Sequence, residues 1–135
     1  MKNGSEQVMD TRLDNRETGR LGEEIATAFL TARGYRILER NFRCKGGEVD
    51  IVARAPGSGC LVFAEVKARR GVQFGLPQQA VTPFKQRQLS KAALTWLAQN
   101  RQQGRDARFD VVAVLLSPDG NHRVEQIENA FELAY

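Results

Sequence analysis

The chain has 135 residues, 41% hydrophobic and 27% charged, with a formal net charge of +4. This length and composition fit one globular domain over residues 17–135, preceded by a flexible arm at residues 1–16 that lacks any periodicity. No apolar run approaches the ~20 residues of a membrane helix, and the arm lacks the apolar centre of a secretory signal, so a cytoplasmic protein with no membrane partner is expected.

The first predicted elements are a helix and a strand. Thr18 is a suitable cap for a helix that ends near Arg33, where Gly34 favours the left-handed backbone that stops a helix. Residues 35–43 then have the composition of a strand.

Two further strands are predicted to form a hairpin at residues 48–53 and 60–68. The segment between them, Pro56-Gly57-Ser58-Gly59, has the composition of a turn. A basic loop bounded by glycine is expected to follow at residues 69–75.

A second helix and two strands complete the order. Thr82 caps and Pro83 begins a helix that runs to about Arg101. Residues 108–116 form a nearly continuous apolar strand, typical of a sheet centre covered on both faces, and residues 123–127 form the last strand. The order α-β-β-β-α-β-β predicts a three-layer α/β fold in which helices flank a mixed central sheet.

Charged residues alternate with apolar ones on the two hairpin strands. Glu48 and Asp50 share one face of the first strand, and Glu65 and Lys67 share one face of the second. If the strands pair, Asp50 and Glu65 can lie side by side, where two carboxylates repel each other. A divalent cation between them would make that interaction favourable.

Asp50, Glu65 and Lys67 are the residue types that metal-dependent phosphodiester hydrolysis uses. Mg²⁺ keeps several waters and needs only a few carboxylate ligands, and a lysine can orient the attacking water and stabilise developing negative charge. Alternatively, the two acids face water, or Lys67 is only their ion-pair partner. The apolar neighbours favour inner strands, where a carboxylate needs a partner.

Three blocks of the sequence resemble a known family. They are Gly19-Arg20-Leu21-Gly22-Glu23, Gly47-Glu48-Val49-Asp50 and Phe63-Ala64-Glu65-Val66-Lys67-Ala68-Arg69. Spaced in this order across α-β-β-β, they resemble the YraN-like proteins. Those are small bacterial proteins predicted to be nucleases similar to archaeal Holliday-junction resolvases, in the restriction-endonuclease-like superfamily known by its PD-(D/E)xK signature. The similarity covers residues 19–116.

The resemblance implies the roles of the hairpin residues. It makes Asp50 and Glu65 ligands of Mg²⁺ or Mn²⁺, with the backbone carbonyl of Val66 as a third ligand. It makes Lys67 the catalytic lysine.

The resemblance also implies a role for the first helix. Glu23 matches the helix glutamate that completes such sites, usually through a metal-bound water. Periodicity places Glu23 on a helix face with Ala26, whereas Glu24 borders the other apolar face and competes for the role. Glu48 stands where the superfamily often has proline before the aspartate, and it is either an outer ligand or solvent-facing.

Basic residues surround the predicted site. Residues 33–70 hold nine Lys/Arg against four Asp/Glu, and residues 83–108 hold six against one. A polyanion partner and a set of solvated surface charges fit this pattern equally well. The candidate DNA-backbone contacts are Arg69, Arg70, Lys85, Arg87 and Lys91.

The sequence therefore predicts a Mg²⁺- or Mn²⁺-dependent endonuclease that acts on DNA, with branched or damaged DNA as candidate substrates. A homodimer would supply the two active sites that cutting both strands requires. One alternative is a module of the same fold that binds nucleic acid without cutting it. Another is a structural protein in which the acidic and basic residues form an internal ion pair.

Overall fold

The computed structural model describes residues 11–71 and 81–134. Two helices and five strands follow the predicted order α-β-β-β-α-β-β. They are α1 (Thr11–Ala32), β1 (Arg36–Cys44), β2 (Gly47–Arg54), β3 (Leu61–Arg70), α2 (Pro83–Gln99), β4 (Ala107–Leu116) and β5 (His122–Phe131). Neither described helix is long and apolar enough to cross a membrane.

The five strands form one mixed sheet in the order β1-β2-β3-β4-β5. β3 and β4 are parallel, and the other neighbouring pairs are antiparallel. α2 lies in the connection between β3 and β4, because a parallel pair requires a long crossover. The predicted α/β class with a mixed sheet is confirmed.

The two helices pack on opposite faces of the sheet. Successive side chains of a strand point to opposite faces, and Val62 and Phe63 of β3 belong to different buried clusters. Val62 packs in the cluster that contains Leu30 of α1, and Phe63 packs in the cluster that contains Trp96 of α2. The sheet is therefore the middle of three layers, as predicted.

The start of α1 differs from the prediction. The helix begins at Thr11, so the predicted cap at Thr18 is wrong and residues 11–16 belong to α1. Thr18 is buried inside the helix, where its Oγ1 accepts a hydrogen bond from Arg70 Nε at 2.8 Å. This contact satisfies the hydroxyl that would otherwise favour a cap. Residues 1–10 of the predicted arm lie outside the described residues.

Two strands are longer than predicted. β3 continues to Arg70, so Arg69 and Arg70 lie in a strand opposite Leu115 and Leu116 rather than in a loop. Pairing with β4 accounts for the extension, because it satisfies their backbone groups. β5 likewise covers residues 122–131. Most of the predicted basic loop, residues 72–75, lies outside the described residues.

The start of α2 is confirmed. Thr82 is its N-cap, with the side-chain oxygen accepting a hydrogen bond from the Lys85 backbone N–H at 3.1 Å, and Pro83 is its first residue. This cap fixes the direction in which the first turn of α2 approaches β2 and β3.

Candidate active site

The site lies where β2 and β3 separate. Their backbone pairing ends at Ile51 and Ala64, and beyond this pair the Val66 N–H donates to Asp50 Oδ2 at 2.8 Å. Val49 and Ile51, two residues apart, pack into clusters on opposite faces, so β2 twists at Asp50. The Asp50 carboxylate thus occupies the place of a backbone acceptor in the gap between the strands.

The carbonyl of Val66 points toward the same gap. In a strand, the N–H and the C=O of one residue point to the same side. Since the Val66 N–H reaches Asp50, its carbonyl also faces the β2 side. The Val66 carbonyl therefore faces the gap in which the Asp50 carboxylate lies.

Glu65 is a buried carboxylate whose negative charge is only partly compensated by nearby positive charges and hydrogen-bond donors. The residue is 4% exposed, and no donor among the described residues hydrogen-bonds its Oε1. Its Oε2 lies 3.8 Å from Lys85 Nζ and 4.0 Å from Lys67 Nζ. Burial, followed by the charge of Asp50, raises the pKa of Glu65 to about 8, although both lysines act in the opposite direction.

The structure brings Glu23, rather than Glu24, toward Asp50. Burial raises the pKa of Glu23, and the charge of Asp50 raises it further, while a hydrogen bond with Asn41 lowers it. The Glu24 side chain is 56% exposed and accepts a hydrogen bond from Arg40 at 2.8 Å. Of the two candidates, Glu23 is the one whose pKa the charge of Asp50 raises.

Two glycines allow both helices to approach the strands closely. A Cβ on Gly22 of α1 would overlap the Cβ of Ala68 in β3. A Cβ on Gly47 of β2 would lie 2.8 Å from the backbone of α2 at Gln88 and Ala92. The glycine before Glu23 and the glycine before Glu48 therefore set the spacing of these two acids from the neighbouring layers.

Lys85 lies in the site, beside Glu65, whereas the sequence indicated it only as a contact to the DNA backbone. Its side chain is 21% exposed, and its Nζ lies 2.6 Å from Glu48 Oε1. Glu48 therefore faces α2, and Arg43 is its second, more distant partner at 3.9 Å. A lysine in the first turn of a helix, where acids are favoured, was the available signal.

The other predicted basic residues lie at the surface. Arg87 and Lys91 are exposed on α2 and line a surface cavity with Phe84. Arg69 and Arg70 are exposed at the end of β3, beyond Lys67.

The donor set fits a hard divalent cation with few protein ligands. Glu23, Asp50 and Glu65 come from three elements and interact electrostatically. Within residues 11–71 and 81–134, no group of three His, Cys, Asp or Glu side chains is arranged to hold a metal ion. Mg²⁺ suits such a site, because it keeps most of its waters and needs one or two carboxylates. The unpartnered Glu65 Oε1 is the atom that such a cation would satisfy.

Comparison with known proteins places the chain in a family. Residues 22–114 match a family described as "Uncharacterised protein family UPF0102". A UPF0102 protein of Pelobacter propionicus is 68% identical over 124 residues, covering 92% of this chain and 89% of the relative. UPF0102 proteins of Geotalea daltonii and Symbiobacterium thermophilum are 57% and 48% identical, covering 90% and 87% of this chain and 94% and 98% of the relatives. The chain therefore belongs to the UPF0102 family.

Proposed function

We propose that this protein is a Mg²⁺- or Mn²⁺-dependent endonuclease that hydrolyses phosphodiester bonds in DNA. The observation that carries the proposal is the buried Glu65 carboxylate, which has one unpartnered oxygen and lies beside Asp50. A protein that had no use for a cation there could replace Glu65 with an apolar residue and avoid the cost of burying a charge. The resemblance to YraN-like proteins of the PD-(D/E)xK superfamily supports the same conclusion.

Each site residue has a role in this proposal. Asp50, Glu65 and the Val66 carbonyl hold the cation, and Glu23 accepts hydrogen bonds from its water shell. When bound, the cation neutralises charge on the phosphate and makes a bound water more acidic. Lys67 Nζ, 4.0 Å from Glu65 and half exposed, orients the attacking water from the solvent side.

The basic residues around the site provide the contacts to DNA. Arg69 and Arg70 extend beyond Lys67 on β3, and Arg87 and Lys91 are exposed on α2. Contacts to phosphates give binding that depends on salt and reads little sequence. Branched or damaged bacterial DNA in the cytoplasm is the proposed substrate, and a homodimer would cut both strands.

A non-catalytic DNA-binding module is the second candidate. The observation that favours it is that two ammonium groups, on Lys67 and Lys85, lie within about 4 Å of Glu65 and partly compensate its charge without metal. Such a module would bind DNA and would not require a divalent cation for its role.

Cleavage assays separate the two candidates. Linear, nicked, flapped and four-way-junction DNA are incubated with Mg²⁺, Mn²⁺ or EDTA. We expect cleavage that requires metal and falls about 100-fold or more in Asp50→Asn and Glu65→Gln, since each change weakens binding of the cation that would stabilise charge at the phosphate.

Two neighbouring glutamates provide the matched control. Glu23→Gln should lose activity, whereas Glu24→Gln, which changes an exposed ion pair with Arg40, should cleave as the wild type does. Folded wild-type protein that binds these DNAs and cleaves none of them with either metal would exclude the endonuclease and favour the binding module.

A further inference from the structure

Lys85 stands at a place in its helix where a positive charge is unfavourable. It is in the first turn of α2, directly after the cap, and this turn holds no acidic residue. The partial positive charge of a helix N-terminus disfavours a cation there. The side chain also loses most of its hydration, being 21% exposed. Because the helix terminus and the loss of hydration both disfavour the Lys85 ammonium at this position, helix formation does not account for a lysine there.

Glu48 holds the Lys85 ammonium at the rim of the site. The 2.6 Å contact joins α2 to β2, and the second carboxylate, Glu65 Oε2, lies 3.8 Å away on β3. The side chain of Glu48 is 38% exposed and that of Glu65 is 5% exposed, so the Lys85 ammonium lies between the buried acid and solvent. Lys67 approaches Glu65 from its own strand, so the two lysines reach the same carboxylate from different elements.

We propose that Lys85 is a second catalytic lysine, which contacts the phosphate that is cleaved, and that Glu48 is the positioning residue that holds it there. The inference rests on the proposed endonuclease function. A divalent cation at Asp50 and Glu65 would compensate Glu65 and repel an ammonium 3.8 Å away. Lys85 then keeps Glu48 as its partner and has donors free for a phosphate oxygen, because an ammonium carries three.

A purely structural pair between Lys85 and Glu48 is the alternative, and two variants distinguish it. Lys85→Met removes the ammonium and keeps the aliphatic stem, whereas Glu48→Gln removes the partner charge and keeps the ammonium. If the pair only joins α2 to β2, both changes break it and should lower kcat equally. If Lys85 contacts the phosphate, only Lys85→Met removes a donor from the reaction.

The experiment compares both variants with wild type in cleavage, DNA binding and thermal unfolding. We expect kcat to fall about 100-fold in Lys85→Met and less than about tenfold in Glu48→Gln. DNA binding is measured in Ca²⁺, which substitutes for the active metal without supporting cleavage. The slope of the logarithm of the binding constant against the logarithm of the salt concentration should decrease in magnitude by about one in Lys85→Met, which corresponds to the loss of one phosphate contact, and should not change in Glu48→Gln. If Lys85→Met unfolds, Lys85→Gln replaces it, because glutamine can still donate a hydrogen bond to Glu48 and carries no charge, and a kcat within about tenfold of wild type in that variant overturns the proposal.

The outcomes separate this inference from the proposed function. Metal-dependent cleavage by wild type together with unchanged kcat in Lys85→Met would reject the role of Lys85 and leave the endonuclease standing. Equal losses in both variants would assign the pair to structure. Absence of cleavage by the wild type would reject both proposals.

Discussion

Two acids are buried in the sheet, and their surroundings differ. Asp110 of β4 accepts hydrogen bonds from Arg108 Nε at 2.9 Å, Gln126 Nε2 at 2.9 Å and the Asn129 N–H at 3.0 Å. Glu65 has two ammonium groups at 3.8 and 4.0 Å and an oxygen without a donor among the described residues. Because a buried charge is costly unless it is paired and hydrogen-bonded, the charge of Asp110 is compensated in the fold, whereas Glu65 destabilises the metal-free protein when it is ionised.

Glu65→Gln is expected to stabilise the metal-free protein as pH rises. The pKa of Glu65 is raised from 4.5 to about 8, so between these values only the native chain keeps the proton. The native state then binds more protons than the unfolded state, and wild-type stability falls through this window. The charges facing Glu65 are those of Asp50, Lys85 and Lys67, and Lys85 keeps Glu48 as its partner in the variant.

Thermal unfolding in EDTA at several pH values tests this expectation. The Tm of Glu65→Gln should exceed that of wild type at about pH 8, and the gap should close toward about pH 4, below the ordinary pKa of 4.5, where both states of the wild type hold most of the proton. Asp110→Asn is the matched control and should lower stability by about 3 kcal/mol, since it breaks a buried pair with Arg108. A lower Tm for Glu65→Gln at about pH 8 would contradict the account of Glu65.

The sequence predicted the acids of the site and named Lys85 only as a DNA-backbone contact, for a physical reason. Alternation along two strands is a local pattern, so Asp50, Glu65 and Lys67 can be found without knowing the fold. Helical periodicity only approximately indicates which side chains in the first turn of α2 face the protein and which face solvent. Whether Lys85 points to solvent or to Glu48 depends on how α2 packs across β2, and this packing is a property of the tertiary structure.

At the scale of elements, α1 offers a comparison between two glycines three residues apart. Gly22 is buried against β3, where a Cβ would overlap Ala68, whereas a Cβ on Gly19 would meet nothing within 4 Å. Gly22→Ala should therefore push the helix from the sheet and destabilise the protein by about 1–3 kcal/mol. Gly19→Ala should stabilise it by about 0.5–1 kcal/mol, because alanine is the better helix former.

Urea unfolding of the two variants measures both effects as shifts of the midpoint in opposite directions. Gly22→Ala should also lower cleavage, since Glu23 is the next residue and moves with the helix. Gly19→Ala should leave cleavage unchanged. Equal stability of the two variants would mean that α1 does not depend on close contact with Ala68.

The prediction of elements succeeded where local chemistry fixes their ends. Thr82 followed by Pro83 defines the start of α2 without help from the rest of the chain. Thr18 looks equally suited to start a helix, but its hydroxyl bonds Arg70 of β3 instead, 52 residues away in sequence. The end of β3 was missed for a similar reason, because pairing with β4 carries the strand on to Arg70.

At the scale of the whole molecule, the site is assembled from both faces of the sheet. Glu23 approaches from α1, and Lys85 approaches from α2 on the opposite face. They meet near Asp50 because β2 twists away from β3 at that point and opens the central layer. A cation bound there would be held by residues of α1, β2 and β3, so it would join the first helix to the sheet.

Binding of a divalent cation should therefore stabilise the whole fold. A ligand that binds only the native state adds about 2.7 kcal/mol at a concentration 100 times its Kd. In Mg²⁺ or Mn²⁺, the Tm of wild type should rise by several degrees relative to EDTA, about 2–8 °C for each kcal/mol in a domain of this size. Asp50→Asn combined with Glu65→Gln should abolish the rise.

Glu125→Gln, a change of an exposed acid on β5, is the control for loss of negative charge in general. It should keep the full rise in Tm, because screening of surface charge does not depend on Asp50 and Glu65. The rise should also grow from about pH 6 to about pH 8, since the cation must displace the proton that Glu65 holds with a pKa of about 8. An equal rise in the wild type, the double variant and Glu125→Gln would mean that the cation binds elsewhere or only screens charge, and the metal site at Asp50 and Glu65 would be rejected.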